Sequence, residues 1–149
     1  MALFSERDDL SILEPLAFAD WRRRTAWPAV ALANTEPVEE LAPHVGRLRL
    51  IVLHFPKFND GRAYSQARLL RGRLGYTGEL RATGGVLQDQ LPFLLRCGFD
   101  SFDSDQKGFG EALARARTLF SVVYQPAEDD RAPAALLRLE GGVPAQASR

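Results

Sequence analysis

Hydrophobic residues along this chain fall into two patterns, short unbroken runs and longer stretches in which apolar residues recur every three or four positions. Unbroken runs predict β-strands over residues 30–33 and 49–55, and two short segments with fewer apolar residues are predicted to be strands over 79–82 and 99–102. The second run is continuously apolar from Leu50 to Leu53, which is typical of a strand covered on both faces. Pro56 ends it, because proline has no N–H for a sheet hydrogen bond.

The stretches with helical spacing follow each predicted strand. They predict helices over residues 37–46, from Asn59 or Asp60 to Gly75, from about Gln88 to Gly98, and over 109–120. Pro92 lies in the third helix, and proline is tolerated only in a first turn, so the regular helix begins near Gln88 or later, or kinks at Pro92. Four strand–helix repeats predict a single α/β domain with a parallel sheet. A flavodoxin-like open sheet and half of a (β/α)8 barrel both fit, and the pattern does not fix the strand order.

The two ends of the chain carry weaker patterns. Residues 1–26 are predicted to be an irregular lead-in, residues 27–125 the α/β domain, with an edge strand at Val122 to Tyr124, and residues 126–149 a flexible tail rich in proline, alanine and glycine. Trp21 precedes Arg22, Arg23 and Arg24. We interpret them as one packed tryptophan beside a solvated basic turn rather than as a binding patch.

Composition and charge narrow the function classes. The 149 residues carry 19 basic and 19 acidic side chains, and this balance argues against binding to nucleic acids or anionic membranes. Cys97 is the single cysteine, which excludes an internal disulfide, a zinc ribbon and a cysteine-ligated iron–sulfur cluster. Charged side chains within the first ten residues interrupt the apolar segment that a secretory signal needs. No apolar run approaches the roughly 20 residues of a membrane span. We therefore predict a cytoplasmic protein.

Polar residues gather where the second and third predicted strands end. In a parallel sheet these ends lie at one edge, where open α/β sheets bind ligands. We predict that this C-terminal edge binds an anion or a partner through Lys57, Asn59, Arg62, Arg81, Thr83, Gly84, Gly85, Gln88 and Asp89.

Each group of residues at this edge has a chemical reason. Lys57 offers a point charge, and Arg62 and Arg81 offer planar forks for an oxyanion, while the Gly84–Gly85 pair lets backbone N–H groups approach an anion. His54 and Asp60 are the candidate catalytic residues for proton transfer. The competing interpretation is an ordinary Gly-Gly turn, solvated basic side chains and a strand-end histidine.

Redox and metal chemistry find no support in the sequence. The glycines at 108 and 110 lack the third glycine of a dinucleotide loop, and there is no P-loop. The two histidines have no metal-ligand spacing. We predict no metal and no cofactor.

The segments RLRLIVLHFPKFNDGRAYSQARLLR, GYTGELRATG, VLQDQLPFLLRCGFDSF and FSVVYQ, together about residues 27–125, resemble a bacterial family of unknown function. Its members lie beside assimilatory sulfite reductase genes and carry the description of an oxidoreductase involved in sulfite reduction. The resemblance implies a role in sulfur assimilation. It implies no catalytic residue, and the proline at position 92 departs from the expected pattern of that helix.

Two functions from different classes are compatible with these observations. The first is a non-catalytic accessory protein of sulfite reduction, which docks on the sulfite reductase or its electron donor through the C-terminal edge. The second is an enzyme or binder of a sulfur oxyanion or sulfonucleotide at the same edge. Whether the chain is an enzyme is left open. A homo-oligomer that completes a half-barrel is a third, structural possibility.

Overall fold

A computed structural model of the protein describes residues 2–5, 13–57 and 61–123. Its sheet contains six strands: β1 (Ala2–Ser5), β2 (Leu16–Ala17), β3 (Ala29–Leu32), β4 (Leu50–Phe55), β5 (Glu79–Gly84) and β6 (Ser101–Ser104). Their spatial order is β1-β6-β5-β4-β3-β2. The strands from β2 to β6 are mutually parallel, and β1 pairs antiparallel with β6 at one edge. The protein therefore has the mixed α/β architecture that the strand–helix repeats predict.

The parallel strands lie side by side in the order in which the chain makes them. Between β2 and β6 there is no point at which the strand order reverses, whereas a doubly wound sheet places its ligand at such a reversal. All five parallel strands end at the same edge, which we call the C-terminal edge. The opposite edge, where these strands begin, is the N-terminal edge.

Helical segments connect the strands. They are α1 (Phe18–Trp21), a 3-10 segment (Val38–His44), α2 (Gly61–Arg68), a π-helical turn (Leu69–Arg73), a second 3-10 segment (Gln88–Gln90), α3 (Leu91–Arg96) and α4 (Phe109–Val123). Pro92 lies in the first turn of α3, where its missing N–H has no helical partner to lose. Its position agrees with the expectation that the regular helix begins after Gln88.

Strand β4 is buried on both faces, as its continuous apolar run predicts. On one face Leu50 and Val52 form a cluster with Ala29, against which Leu13 and Trp27 pack. Side chains alternate along a strand, so Ile51, Leu53 and Phe55 point to the other face. There the Phe55 ring lies 5.0 Å from Tyr64 of α2 and 5.7 Å from Phe99.

Two predictions about the ends of the chain are wrong. The stretch 1–26, predicted to be irregular, supplies β1, β2 and α1 to the fold. Val122 and Val123 continue α4 and do not form an edge strand, while Tyr124 and the predicted tail 126–149 lie outside the described residues. The chain divides into a unit Met1–Leu113 and a second that begins at Ala114; of the second, the described part is the α4 segment 114–123.

Arg71, in the π-helical turn, holds the segments that enter β5 and β6. Its Nε donates to the Gly98 carbonyl at 3.0 Å, Nη1 donates to the carbonyls of Tyr76 and Gly78 at 2.9 Å each, and Nη2 donates to Gly98 O and to Asp100 Oδ1 at 2.8 Å each. All five N–H groups of the guanidinium are thereby used. One side chain thus fixes the start of two neighbouring strands.

No helix in the described ranges is long and apolar enough to cross a membrane.

Candidate functional site

The ends of β4 and β5 meet at the C-terminal edge, as the sequence predicts. His54 lies opposite Thr83 and Phe55 opposite Gly84 in the parallel ladder. Beyond the last pair, the Gly85 N–H donates to the Phe55 carbonyl at 2.6 Å. The two polar junctions are therefore joined by backbone hydrogen bonds.

Gly84 allows an unusually close approach at this junction. Its φ is +92°, a conformation that other residues rarely adopt. A Cβ placed there would lie 2.4 Å from the Phe55 carbonyl oxygen and 2.6 Å from Cε1 of the His54 ring. The imidazole of His54 consequently lies against the Gly84 backbone, with the side chain exposed. Glycine is required here for packing between neighbouring strands.

Two backbone N–H groups at the Gly84–Gly85 turn, those of Gly85 and Val86, are engaged in hydrogen bonds with backbone carbonyls. The Gly85 N–H donates to Phe55 O, and the next N–H, that of Val86, donates to the Gly84 carbonyl at 2.8 Å. Regular α-helix begins only at Leu91. The Gly85 N–H is therefore bonded to the neighbouring strand and does not stand at a helix N-terminus, while the binding of an anion at the Gly84–Gly85 turn stays a prediction.

Two glutamine side chains fasten the loop that follows this turn. Gln88 Nε2 donates to the carbonyl of Lys107 at 2.8 Å. Gln106 Nε2 donates to the carbonyl of Val86 at 2.7 Å, and the Gln106 N–H donates to Ser104 Oγ at 3.1 Å. Gln88, predicted to orient a ligand, thus ties the loop after β5 to the loop after β6. Sequence reasoning missed Gln106, because the signal lies in a pairing between loops far apart in sequence.

Arg81 lies within β5 and not at the edge. Its Nη2 donates to Glu79 Oε2 at 2.8 Å, and Ser101 Oγ donates to the same carboxylate oxygen at 2.6 Å. The Arg81 Nε in turn donates to Ser101 Oγ at 3.3 Å. Arg81 and Glu79 are 9% and 4% exposed. The placement of Arg81 at the C-terminal edge was therefore wrong: its charge is compensated inside the sheet.

The sequence pattern predicts only part of the Glu79–Arg81–Ser101 cluster. Residues two apart in a strand share a face, so Glu79 and Arg81 are adjacent by pattern. Ser101 joins them because β6 pairs with β5 in a register that sets Ser101 beside Arg81. That register depends on the tertiary fold.

The remaining predicted site residues are distributed around the edge. Lys57 follows β4 and is exposed, Arg62 is exposed in the first turn of α2, and Asp89 is exposed just before α3; Thr83 is half-buried. Asn59 and Asp60 lie outside the described residues. Among the residues that the structure describes, no three histidine, cysteine or acidic side chains are grouped to hold a metal ion.

Cys97 and Tyr64 lie in the helical segments that pack beside the sheet. The Tyr64 ring is 4.7 Å from the Phe93 ring, and its hydroxyl donates to Gln90 Oε1 at 3.3 Å. Burial raises the pKa of Tyr64, and the Cys97 charge adds to this rise. Burial also raises the pKa of Cys97 to about 11, against the opposing charges of Arg68 and Arg96. The thiol is therefore protonated at neutral pH, which is unfavourable for a nucleophile.

The raised pKa of Cys97 predicts a loss of stability at high pH. The folded thiol ionises near pH 11, whereas its ordinary value is 9.0, so the contribution is full below pH 9 and is lost as the pH rises to 11. Two pKa units correspond to about 3 kcal/mol of unfolding free energy. We expect urea unfolding between pH 8 and 11 to show this loss in the wild type, with a shallower decline in Cys97→Ala. Parallel declines would contradict the prediction.

Comparison with known proteins gives a family. No match to this sequence was found among curated proteins or among solved structures. A family model described as a bacterial protein of unknown function, DUF934, matches residues 29–135, a span that begins at β3 and contains the ends of β3 to β6 at the C-terminal edge. The chain therefore belongs to the DUF934 family of bacterial proteins.

Proposed function

We propose that this protein is a non-catalytic accessory protein of assimilatory sulfite reduction. It docks on the sulfite reductase or on the electron donor of that enzyme through its C-terminal edge. The pathway comes from the sequence resemblance to a family that lies beside sulfite reductase genes. The choice of docking over chemistry comes from the geometry of the edge.

One observation carries this choice: the groups best suited to an oxyanion are engaged inside the protein. Arg81 is paired with Glu79, and the Gly85 N–H is bonded to the Phe55 carbonyl. The side chains presented to solvent at the same edge are of mixed type, a histidine (His54) and a lysine (Lys57) beside further charged residues. Mixed polar groups on a rigid edge are typical of the rim of a transient protein interface.

The edge is also rigid enough to serve as an interface. Gly84 brings the turn onto the β4 backbone, and the side chains of Gln88 and Gln106 tie two loops together. Preorganised loops lose little conformational entropy on binding. Docking is therefore supported by the backbone as well as by the exposed side chains.

The docking proposal predicts a charge-reversal effect. We expect the wild-type protein to bind the neighbouring sulfite reductase, or its electron-donor protein, in a pull-down and in calorimetry at low ionic strength. Lys57→Glu combined with Arg62→Glu is expected to weaken that complex about tenfold, because rim charges control encounter and register. The matched control is Arg68→Glu with Arg96→Glu, which changes the net charge equally on the outer surface of α2 and α3.

Three results would contradict docking at this edge. The first is no complex with either protein at low salt. The second is an equal loss of affinity in the control variant, and the third is saturable binding of sulfite to the isolated chain with no complex formed. Circular dichroism on both variants establishes that the fold is intact.

The alternative function is an enzyme or binder of a sulfur oxyanion or sulfonucleotide. One observation favours it: in the described part of the chain, Arg81 Nη1 makes no hydrogen bond, since Glu79 and Ser101 engage only Nη2 and Nε. The Nη1 edge of a guanidinium held in this way matches an oxyanion. His54 and Asp60 would then move protons. Sulfite binding that is lost in Arg81→Met would favour this function.

We further propose that the four strands β3 to β6 are half of a (β/α)8 barrel and not part of a flavodoxin-like sheet. Strands β2 to β6 adjoin in chain order, as they do in such barrels, and self-association of two copies could complete the barrel. An experimental structure with a reversed strand order would contradict this arrangement.

A further inference from the structure

A group of arginines surrounds the N-terminal edge of the sheet, opposite the edge described above. Its members follow α1 or precede β4, and all are exposed: Arg22, Arg23, Arg24, Arg47 and Arg49. We call them the arginine cluster. The interpretation of residues 21–24 as a solvated basic turn covered only part of this surface, because Arg47 and Arg49 join it through the fold.

Backbone contacts make the arginine cluster continuous. The Trp27 N–H donates to the Arg24 carbonyl at 2.9 Å, and the Arg49 N–H donates to the Pro28 carbonyl at 2.8 Å. Arg24 and Arg49 are therefore separated only by the segment that leads into β3.

A second link joins α1 to the segment before β4. The Trp21 ring stands edge-on to His44, with ring centroids 5.1 Å apart. Arg47 Nη2 contacts His44 Nδ1. These contacts bring the segment that carries Arg22 to Arg24 next to the segment that carries Arg47.

Aromatic rings hold two of these arginines in place. The guanidinium carbon of Arg22 lies 5.3 Å from the centre of the Phe18 ring, and that of Arg24 lies 5.3 Å from the Trp27 ring. Trp27 is itself anchored, because its Nε1 donates to the Glu14 carbonyl at 2.8 Å. A guanidinium held over a ring face still presents the N–H groups of its own edge, which can pair side-on with a carboxylate.

In the part of the chain that the structure describes, two arginines of this surface make exposed ion pairs. Arg22 pairs with Glu40 at 3.2 Å and Arg23 contacts Asp20 at 3.9 Å, in both cases with side chains at least 45% exposed. Exposed pairs of this kind are weak. Since the whole chain has zero net charge, a basic surplus here means an uneven distribution of charge. Basic residues are often found at the C-terminus of a helix because they stabilise its dipole. Helix α1 has only four residues, so its dipole is too small to account for the three arginines that follow it.

We infer that the arginine cluster is a second docking surface, and that its partner is an acidic surface of another protein. The zero net charge and the carboxylates of Asp20 and Glu40 within the cluster are unfavourable for a polyphosphate backbone. They suit a protein partner that presents carboxylates with some basic residues among them. The inference rests on the N-terminal edge alone and is independent of the function of the opposite edge.

Poly-L-glutamate is the probe for this surface. At about 50 mM salt, the full-length protein is expected to bind fluorescent polyglutamate, with affinity that falls as salt rises because exposed charges are screened. Arg24→Glu combined with Arg47→Glu is expected to weaken binding about tenfold or more, since two attractions become repulsions. Arg68→Glu combined with Arg96→Glu, the matched control, changes the net charge equally and is expected to retain binding within about twofold.

The binding of polyglutamate by the two variants decides whether the inference holds. Loss of binding in the first variant alone supports the inference. Absence of binding to polyglutamate, or equal loss in both variants, overturns it. A mixed-sequence DNA duplex, tested at the same concentration of charge, distinguishes a nucleic-acid partner from an acidic protein. Tighter binding to DNA than to polyglutamate assigns the surface to nucleic acid and also overturns the inference. Thermal melting of each variant checks that the fold survives.

Discussion

Arg71→Ala is expected to lower the free energy of unfolding by about 3–5 kcal/mol, because it removes the charged partner of the half-buried Asp100 and the donor to three backbone carbonyls. The guanidinium donates to three carbonyls, those of Tyr76, Gly78 and Gly98, and to the Asp100 carboxylate. After truncation, the half-buried Asp100 carboxylate loses its guanidinium partner, while the weak 3.4 Å contact from the Leu80 N–H remains. Urea unfolding followed by circular dichroism measures the loss.

Two variants isolate the role of the Arg71 fork. Arg71→Lys keeps the charge but supplies three donors from one nitrogen in place of a planar fork, so an intermediate loss is expected. Arg73→Ala is the matched control, because Arg73 lies in the same π-helical turn and is exposed; its effect is expected to stay within about 0.5 kcal/mol. A loss below about 1 kcal/mol for Arg71→Ala would show that Arg71 does not hold these strands.

Gly98 supports the same interpretation of Arg71. Its φ is +102°, and a Cβ at this position would lie 2.5 Å from Arg71 Cγ. Glycine thus allows the arginine to lie across the segment before β6. The sequence predicts Gly98 correctly as the end of a helix. Its second role depends on a side chain 27 residues away, which a local pattern does not reveal.

The parts of the fold that the sequence predicts are those set by local pattern. The apolar run of β4 and the helical stripes around Leu70 and Leu94 identify buried elements, because their burial is periodic. β1 and β2 are too short for periodicity. The antiparallel pairing of β1 with β6 is a long-range choice, in which Phe4 packs 5.2 Å from Phe109.

The candidate site was predictable in its location and not in its hydrogen bonds. The meeting of residues 54–57 with residues 83–85 follows from two adjacent parallel strands. Which N–H groups remain for a ligand depends on how the turn closes, and the Gly85 N–H bonds to Phe55 O. The position of Arg81 was also not predictable from local pattern. The pattern ends the strand at Ala82, which places Arg81 near the edge, whereas β5 extends to Gly84.

Glu79→Ala is expected to destabilise the protein by about 3–5 kcal/mol, because the Arg81 charge would remain buried without its carboxylate. Arg81 is 9% exposed, and its hydrogen bond to Ser101 alone does not neutralise it. Ser101→Ala serves as the comparison, since it removes a hydroxyl and leaves the ion pair; about 1 kcal/mol is expected. Urea unfolding at neutral pH measures all three proteins.

The double variant Glu79→Met with Arg81→Met decides what the ion pair contributes. Replacing a buried pair by apolar side chains of similar volume is often close to neutral, so the double variant is expected to be at least 2 kcal/mol more stable than Glu79→Ala. A loss equal to the sum of the losses of Glu79→Met alone and Arg81→Met alone would mean that the two charges act independently, and would contradict the pairing. A stable double variant also gives a clean background for ligand tests. If sulfite binds the wild type but not this variant, the result favours oxyanion binding over docking as the function. If a reductase complex forms with both proteins, Arg81 serves the core and the exposed edge makes the interaction.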